Sequence, residues 1–395
     1  MWILLLLLLW GCGNAAPSSD LDAEPWNVQP ELRIGSVDAP DYSLTYVEDL
    51  EVGPDGRIYV LQSQEQLIRV FDGTGKFVGT IGRRGAGPGE FVSPYRMGWR
   101  GDTLWVIDGG QNRISFFGPD GAFLGSLGTG WPAPGGFGMI FPWAVMADGS
   151  VLGFHAVDAI ARADGLVKST PYFRIDREGR VTDTLAWVSL RNSSLAIRDP
   201  ERPWAGLFAP QPFGDSPLVE AAPDGSGLVL VERWAAEAAD RAHFTVTRID
   251  PSGRVLFSRQ YRYPARPMPK ALADSVFQAE VAIALQARGP NLSSRAQAEE
   301  RVREALYLPG HLPPITGVVI GRDGTIWLRR EDLGEASVEW LVLGEDGGVL
   351  GALRAPRGLR ILRAQRGSIW GVEEDTLGVP YVVKYRVEEE EAGRA

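Results

Sequence analysis

Two stretches of this chain repeat one pattern of apolar and polar positions. Residues 50–82 read LEVGPDGRIYVLQSQEQLIRVFDGTGKFVGTIG, and residues 97–128 read MGWRGDTLWVIDGGQNRISFFGPDGAFLGSLG. In each, apolar runs of strand length are cut by Asp/Gly or Gly turns, in the order strand, turn, aromatic strand, polar loop, strand, turn, strand. A four-stranded antiparallel unit of roughly 40–45 residues, repeated, predicts the blades of a β-propeller.

The glycine of the first hairpin, or its equivalent, carries the repeat onward: Gly56, Asp102, Gly149, Gly225, Gly324 and Gly367. Three residues past each marker stands a large apolar side chain, namely Tyr59, Trp105, Leu152, Leu228, Trp327 and Trp370. These positions predict a buried second strand in each of six blades, where the faces of neighbouring sheets press together. Third strands are expected at 67–71, 113–117, 172–175, 244–249, 338–342 and 381–385, and five of them run into Asp/Gly turns that supply positive φ. The sixth repeat then stops: Glu388–Glu391 follows Val387, and the last blade lacks a strand. Residues 32–35, which have no blade of their own, match the closing strands at 79–82 and 125–128. The N-terminal strand is therefore expected to close the ring against the last blade, removing two open edges. The fold class is all-β, a six-bladed β-propeller over residues 31–390.

Marker spacings of 46, 47, 76, 99 and 43 residues (102−56, 149−102, 225−149, 324−225, 367−324) place insertions in two intervals. Residues 189–213, with Pro203-Trp204 and Pro210-Gln211-Pro212, read as an irregular surface loop. The second insertion, about 265–312, reads as a helical hairpin between blades four and five. Residues 269–288 carry Leu272, Val276, Phe277, Ile283 and Leu285 at three- and four-residue steps and end at Gly289-Pro290. Ser294 and Gln297 read as the capping box of a second helix through Tyr307. Such a hairpin is either a lid over one mouth of the channel or a packing brace.

Residues 2–10 are apolar without a break, but nine residues rise only about 14 Å as a helix, against a hydrocarbon core of ~30 Å. The run fits the apolar region of a secretory signal, residues 1–12, instead of a membrane span. It ends in Leu9-Trp10-Gly11-Cys12, which resembles a bacterial lipobox, with Trp10 bulkier than that motif's usual residue. The resemblance implies that Cys12 is acylated as the mature N-terminus, and Gly13 after it implies the outer membrane. Cys12 is the only cysteine, so no disulfide is available. Residues 13–30, rich in Ala, Pro, Ser and Asp, read as a tether. The formal charge of −10 disfavours nucleic acid and anionic lipid as partners of the body. The expected setting is export, with a lipid anchor in the bacterial outer membrane or a periplasmic location.

Within blade two, Trp105-Val-Ile-Asp108 followed by Asn112-Arg113-Ile114-Ser-Phe116 resembles the NHL repeat. The run GRRGAGPGEF at 82–91 resembles the inter-blade turn of six-bladed propeller lipoproteins. The match is specific over 45–130 and structural beyond, and blade one carries Gln62 and Leu67 where the repeat has Asp and Arg. The resemblance implies a six-bladed funnel. Relatives of this shape include amidating lyases with metal-binding histidines and lactonases whose calcium is held by Asp, Asn and Glu.

The residues offer little dedicated chemistry. His155, His243 and His311 are scattered, whereas zinc needs converging donors. No Gly-x-Ser-x-Gly occurs, and the glycines at 85–89 lack the Lys-Ser/Thr of a phosphate loop. Asp108, Asn112 and Arg113 read as a hydrogen-bonded loop within a blade. Seven residues before each marker, on the strands that line the channel, stand Asp49, Tyr95, Pro142, Leu218, Gly317 and Arg360, with Glu48 and Arg96 adjacent. Glu48, Asp49, Tyr95, Arg96 and Arg360 are thus the candidate ligand-binding set, suited to an anionic or zwitterionic ligand through arginine's bidentate fork. The competing reading is that they satisfy one another around trapped water. No cofactor is called for, and calcium would prefer more acids than these. The expected function is a monomeric binding or scaffolding module of the cell envelope, its partner a protein or a small polar ligand. The alternative is a channel-centred, metal-dependent hydrolase or lyase using Glu48 and Asp49 as metal ligands or general base.

Overall fold

The first hairpin of each repeat turns on a glycine in the left-handed region, with φ of 78° at Gly56, 84° at Gly149, 73° at Gly225, 78° at Gly324 and 83° at Gly367. In blade two the residue with positive φ is Gly101, one place before the expected marker Asp102, because aspartate tolerates that region less well than glycine. A computed structural model describes residues 21, 23–134, 138–157, 159–199, 201–202, 204–236, 241–287, 291–330 and 336–389 of the chain. The expected signal segment, Cys12, Pro203, the Gly289-Pro290 stop and the acidic residues after Glu389 lie outside the described residues.

Six blades follow from these turns. Blade one comprises Asp49–Val52, Ile58–Gln62, Leu67–Phe71 and Phe77–Ile81; blade two, Pro94–Arg100, Thr103–Asp108, Arg113–Phe117 and Phe123–Gly128. Blade three comprises Ile140–Val145, Val151–His155, Ser169–Ile175 and Val181–Ser189; blade four, Leu218–Ala221, Leu228–Glu232, His243–Ile249 and Val255–Arg262. Blade five comprises Gly317–Ile320, Ile326–Arg330, Ser337–Leu343 and Val349–Pro356. Blade six supplies Arg360–Gln365, Ser368–Glu374 and Pro380–Glu388, and the N-terminal strand Pro25–Ile34 completes it. All six apolar second-strand residues, from Tyr59 to Trp370, are buried between neighbouring sheets. No helix of the described residues is long and apolar enough to cross a membrane.

The closing strand pairs antiparallel with Pro380–Glu388, from Asn27 opposite Glu388 to Ile34 opposite Val382, with a bulge between Pro30 and Leu32. It begins at Pro25, so residues 25–30, read as tether, are sheet. Their first two residues also pair in parallel with the outer strand of blade five, Pro25 opposite Ala352 and Trp26 opposite Leu353. Trp26 drives this start: it is 5% exposed, meets Trp327 edge-on at 6.0 Å between ring centres, and occupies space that only a glycine at 351 leaves open.

The two insertions fold on each other. Residues 189–213 are not irregular: Ser194–Arg198 and Gly206–Pro210 pair as a β-hairpin whose alternating Leu195 and Ile197 are fully buried. They bury against Val281 and Ala284 of the helix Lys270–Gln286 and against Ala298 and Val302 of the helix Arg295–Ala305. Ser294 caps the second helix, accepting the Gln297 N–H at 3.2 Å. Gln211 fastens the two units, donating to the Ala305 carbonyl at 2.8 Å and accepting from the Tyr307 N–H at 3.0 Å. Among the described residues, neither insertion lines the central cavity.

The closure can be tested by Trp26→Ala, which removes a large buried ring from the joint of blades five and six. It should lower stability by about 3–5 kcal/mol, measured as a shift in the urea midpoint. A midpoint within a few tenths of a kcal/mol of wild type would show that the ring closes without this strand.

Candidate functional site

The inner strands of the six blades surround a cavity of about 350 Å³. Its wall is two-sided. Blades one to three bring Glu48, Asp49, Glu51, Tyr95, Arg96 and Trp143, whereas blades five and six bring Val318, Val319, Ile320, Ile361 and Leu362. Glu220 and Arg363 sit on the flanks, and a second space of about 300 Å³, lined in part by Arg322, shares Glu51 and Arg363 with the first.

Apart from Glu48, the charges of this wall are matched to one another. Arg363 donates from Nη2 to Asp49 Oδ1 at 2.8 Å and from Nε to Glu51 Oε1 at 2.7 Å. Glu51 Oε2 accepts from Arg322 at 2.8 Å. Asp49 Oδ1 also accepts the Leu50 N–H at 2.9 Å, and its Oδ2 the Met97 N–H at 3.0 Å, so both of its oxygens are engaged. Burial pulls the Arg363 guanidinium down, but the carboxylates of Asp49 and Glu51 outweigh it and hold the group above the ordinary arginine range. On the other flank Arg96 pairs with Glu220 and lies 4.2 Å above the centre of the Trp143 ring. The Tyr95 hydroxyl donates to the Pro142 carbonyl at 2.7 Å; burial, slightly offset by Arg96, pushes its pKa up to about 12, so it is a neutral donor at physiological pH.

Of the five residues read from the sequence, Glu48, Asp49, Tyr95 and Arg96 line the cavity together. Arg360 does not: its guanidinium donates to the Val47 carbonyl and lies 5.8 Å from the Tyr46 ring centre, fastening blade six to the segment that leads into blade one. Sequence reasoning missed Glu51, Trp143, Glu220, Arg322 and Arg363. Counting back five residues from each marker would have found two of them. That position holds Glu51, Met97, Ala144, Glu220, Val319 and Leu362 (56−5, 102−5, 149−5, 225−5, 324−5, 367−5), and all six line the cavity. Positions seven and five back share a face in a regular strand. Bulges at Pro94/Arg96, Pro142/Ala144 and Ile361/Arg363 break that parity in blades two, three and six, where Arg96 and Arg363 line the cavity and Pro142 and Arg360 do not; Leu218 and Gly317, on strands without a bulge, do not line it either.

The other candidates are structural or separate. Asp108 accepts the N–H groups of Val92, Ser93 and Gly110 at 2.8–3.0 Å, and Arg113 donates to the Gly87 and Glu90 carbonyls at 2.7 Å. Together they pin the glycine-rich turn to blade two. His243 and His311 contact the carbonyls of Arg241 and Ala236 by Nδ1, at separate places. Among the described residues no group of three His, Cys, Asp or Glu could hold a metal ion.

A family model described as a six-bladed β-propeller matches residues 41–128, essentially blades one and two. No curated protein matches the sequence. Among solved structures, a member of the DUF4221 family from Bacteroides vulgatus is similar with a TM-score of 0.50 at 11% identity, covering 93% of this chain and 100% of that one. A Bacteroides fragilis protein regarded as exported gives 0.47 at 10% identity, covering 95% and 98%. A virginiamycin B lyase from Staphylococcus aureus gives 0.42 at 11% identity, covering 91% and 99%. At these identities the likeness is one of fold.

The pairing makes Arg363 a test of the wall. Arg363→Met should cost about 3–5 kcal/mol in urea unfolding, because it strands buried Asp49 and Glu51 without their shared partner. Adding Asp49→Asn and Glu51→Gln should restore most of that stability. An undiminished midpoint in the single variant would contradict the pairing.

Proposed function

We propose that this chain is a non-catalytic binding module of a bacterial cell envelope, exported, held to the outer membrane by a lipid on Cys12, and taking its ligand at the mouth of the central channel. The observation that carries this reading is the mutual pairing of the channel's ionised groups, Asp49 and Glu51 with Arg363, Glu51 with Arg322, and Glu220 with Arg96. A hydrolase or lyase built on Glu48 and Asp49 together would need both carboxylates free to ligate a metal or move a proton. Asp49 spends both oxygens on Arg363 and on backbone N–H groups. A wall whose charges, Glu48 apart, are neutralised within itself can hold a ligand by shape and hydrogen bonds and leave it chemically unaltered. Export and anchoring are supported by the apolar run at 2–10 and by Leu9-Trp10-Gly11-Cys12.

Two measurements test the proposal. Full-length protein incubated with a small-molecule extract of bacterial envelopes should retain a species in native mass spectrometry whose mass on release equals its mass in the input. Release of a product in place of the input compound, abolished by Asp49→Asn, would establish the enzyme reading instead. In cells, Cys12→Ser should move the protein from the membrane fraction to the soluble fraction, and an unchanged distribution would remove the lipid anchor.

A further inference from the structure

Building on that binding reading, we infer that the channel takes a neutral carbohydrate, a hydroxyl-rich ring, and not an ion. An anion could engage Arg363 only by drawing it away from Asp49 and Glu51, leaving those carboxylates buried without their partner, and at Arg96 it would meet the carboxylate of Glu220 alongside. A cation could pair with Glu48, which has no arginine partner, but it would bring no acceptor for the indole N–H groups of the wall. A neutral ligand leaves every pair intact.

The polar groups left over are of both kinds. Trp105, 4% exposed, and Trp143 both line the cavity, and each has a buried indole N–H with no acceptor. Elsewhere among the described residues nine further buried polar atoms, the Trp99 indole N–H among them, lack a partner, but these two stand on the cavity wall, where an acceptor can be supplied from outside the chain. Acceptors are also left over. Glu48 Oε2 takes the Ser63 hydroxyl at 2.8 Å, and Glu220 Oε1 takes Arg96 and the Ala221 N–H. The second oxygen of each carboxylate has no hydrogen bond among the described residues. An ion would satisfy one of these sets, whereas a hydroxyl both donates and accepts, so a ring bearing several can satisfy both. The apolar wall of Val318, Val319, Ile320, Ile361 and Leu362 faces this polar one and suits the C–H face of such a ring. A volume of about 350 Å³ lies at the small end of the roughly 300–1,000 Å³ range of ligand pockets, as a mono- or disaccharide requires.

The test uses the full chain, with calorimetry and tryptophan emission read against D-glucose, N-acetyl-D-glucosamine and maltose as neutral probes and D-glucuronate and choline as charged ones. At least one neutral sugar should bind saturably and change the indole emission, with an affinity little altered between about 0.05 and 0.5 M salt. Trp143→Phe, which keeps a ring but loses the N–H, and Glu48→Gln should each weaken binding by about 3–10-fold, the worth of one hydrogen bond. Preference for glucuronate or choline, failure of all three neutral sugars, or sugar binding indifferent to both variants would overturn the inference. If the sugars fail while native mass spectrometry still recovers an intact ligand, the carbohydrate class falls and the binding reading stands. A sugar bound but returned altered keeps the class and ends the non-catalytic reading.

Discussion

The structure depends on the pairing of Pro25–Ile34 with Pro380–Glu388. In a propeller each sheet buries its faces against its two neighbours, so a ring left open would expose apolar faces and two unpaired edges at once. Here the closing strand reaches further than the blade it completes. Trp26 packs in the cluster of Trp327, Trp340 and Leu353 at blade five. Ile34 packs with Leu50, Ile58 and Phe71 of blade one. Gly75, in a turn of blade one, lies so close to Leu32 and Ile34 that a Cβ there would press on both. One strand of ten residues thereby ties blades five, six and one.

The channel shows the same economy in its electrostatics. Burying arginine and carboxylate is costly unless each finds a partner with good geometry, and Arg363 finds two on a single neighbouring strand. The pairs cross between blades, joining six to one and two to four, so they help fix the blades' angular positions while neutralising the bore. Opposite them the wall is aliphatic, and the bore is amphipathic across its width instead of along its length.

Much of this was legible in the sequence because the repeat is local. The third strands Leu67–Phe71 and Arg113–Phe117 fall where apolar runs and turns placed them, and the surplus strand at the start answered the shortage at the end. The site was harder to read because it is a matter of parity. A bulge shifts alternation by one residue, and three of the six inner strands carry one, so a fixed offset from the turn finds Asp49 and Tyr95 but also Arg360. The hairpin at 194–210 was hidden for another reason. Its large apolar residues, Leu195 and Ile197 on one strand and Leu207 and Phe208 on the other, are few, prolines flank it, and the helices that bury it lie some eighty to a hundred residues further along.

The clasp made by Gln211 also sets which part of the chain is free to change in length. Gln211 and Ala305 are 94 residues apart, and blade four lies wholly within the loop they close. Because closing a loop costs only about 0.6 kcal/mol more for each doubling of its length, segments added at the edge turns of blade four would barely loosen the clasp. Blade four is therefore a place where this ring can accommodate new sequence over evolutionary time, and where a reporter or affinity domain could be grafted without loosening the clasp.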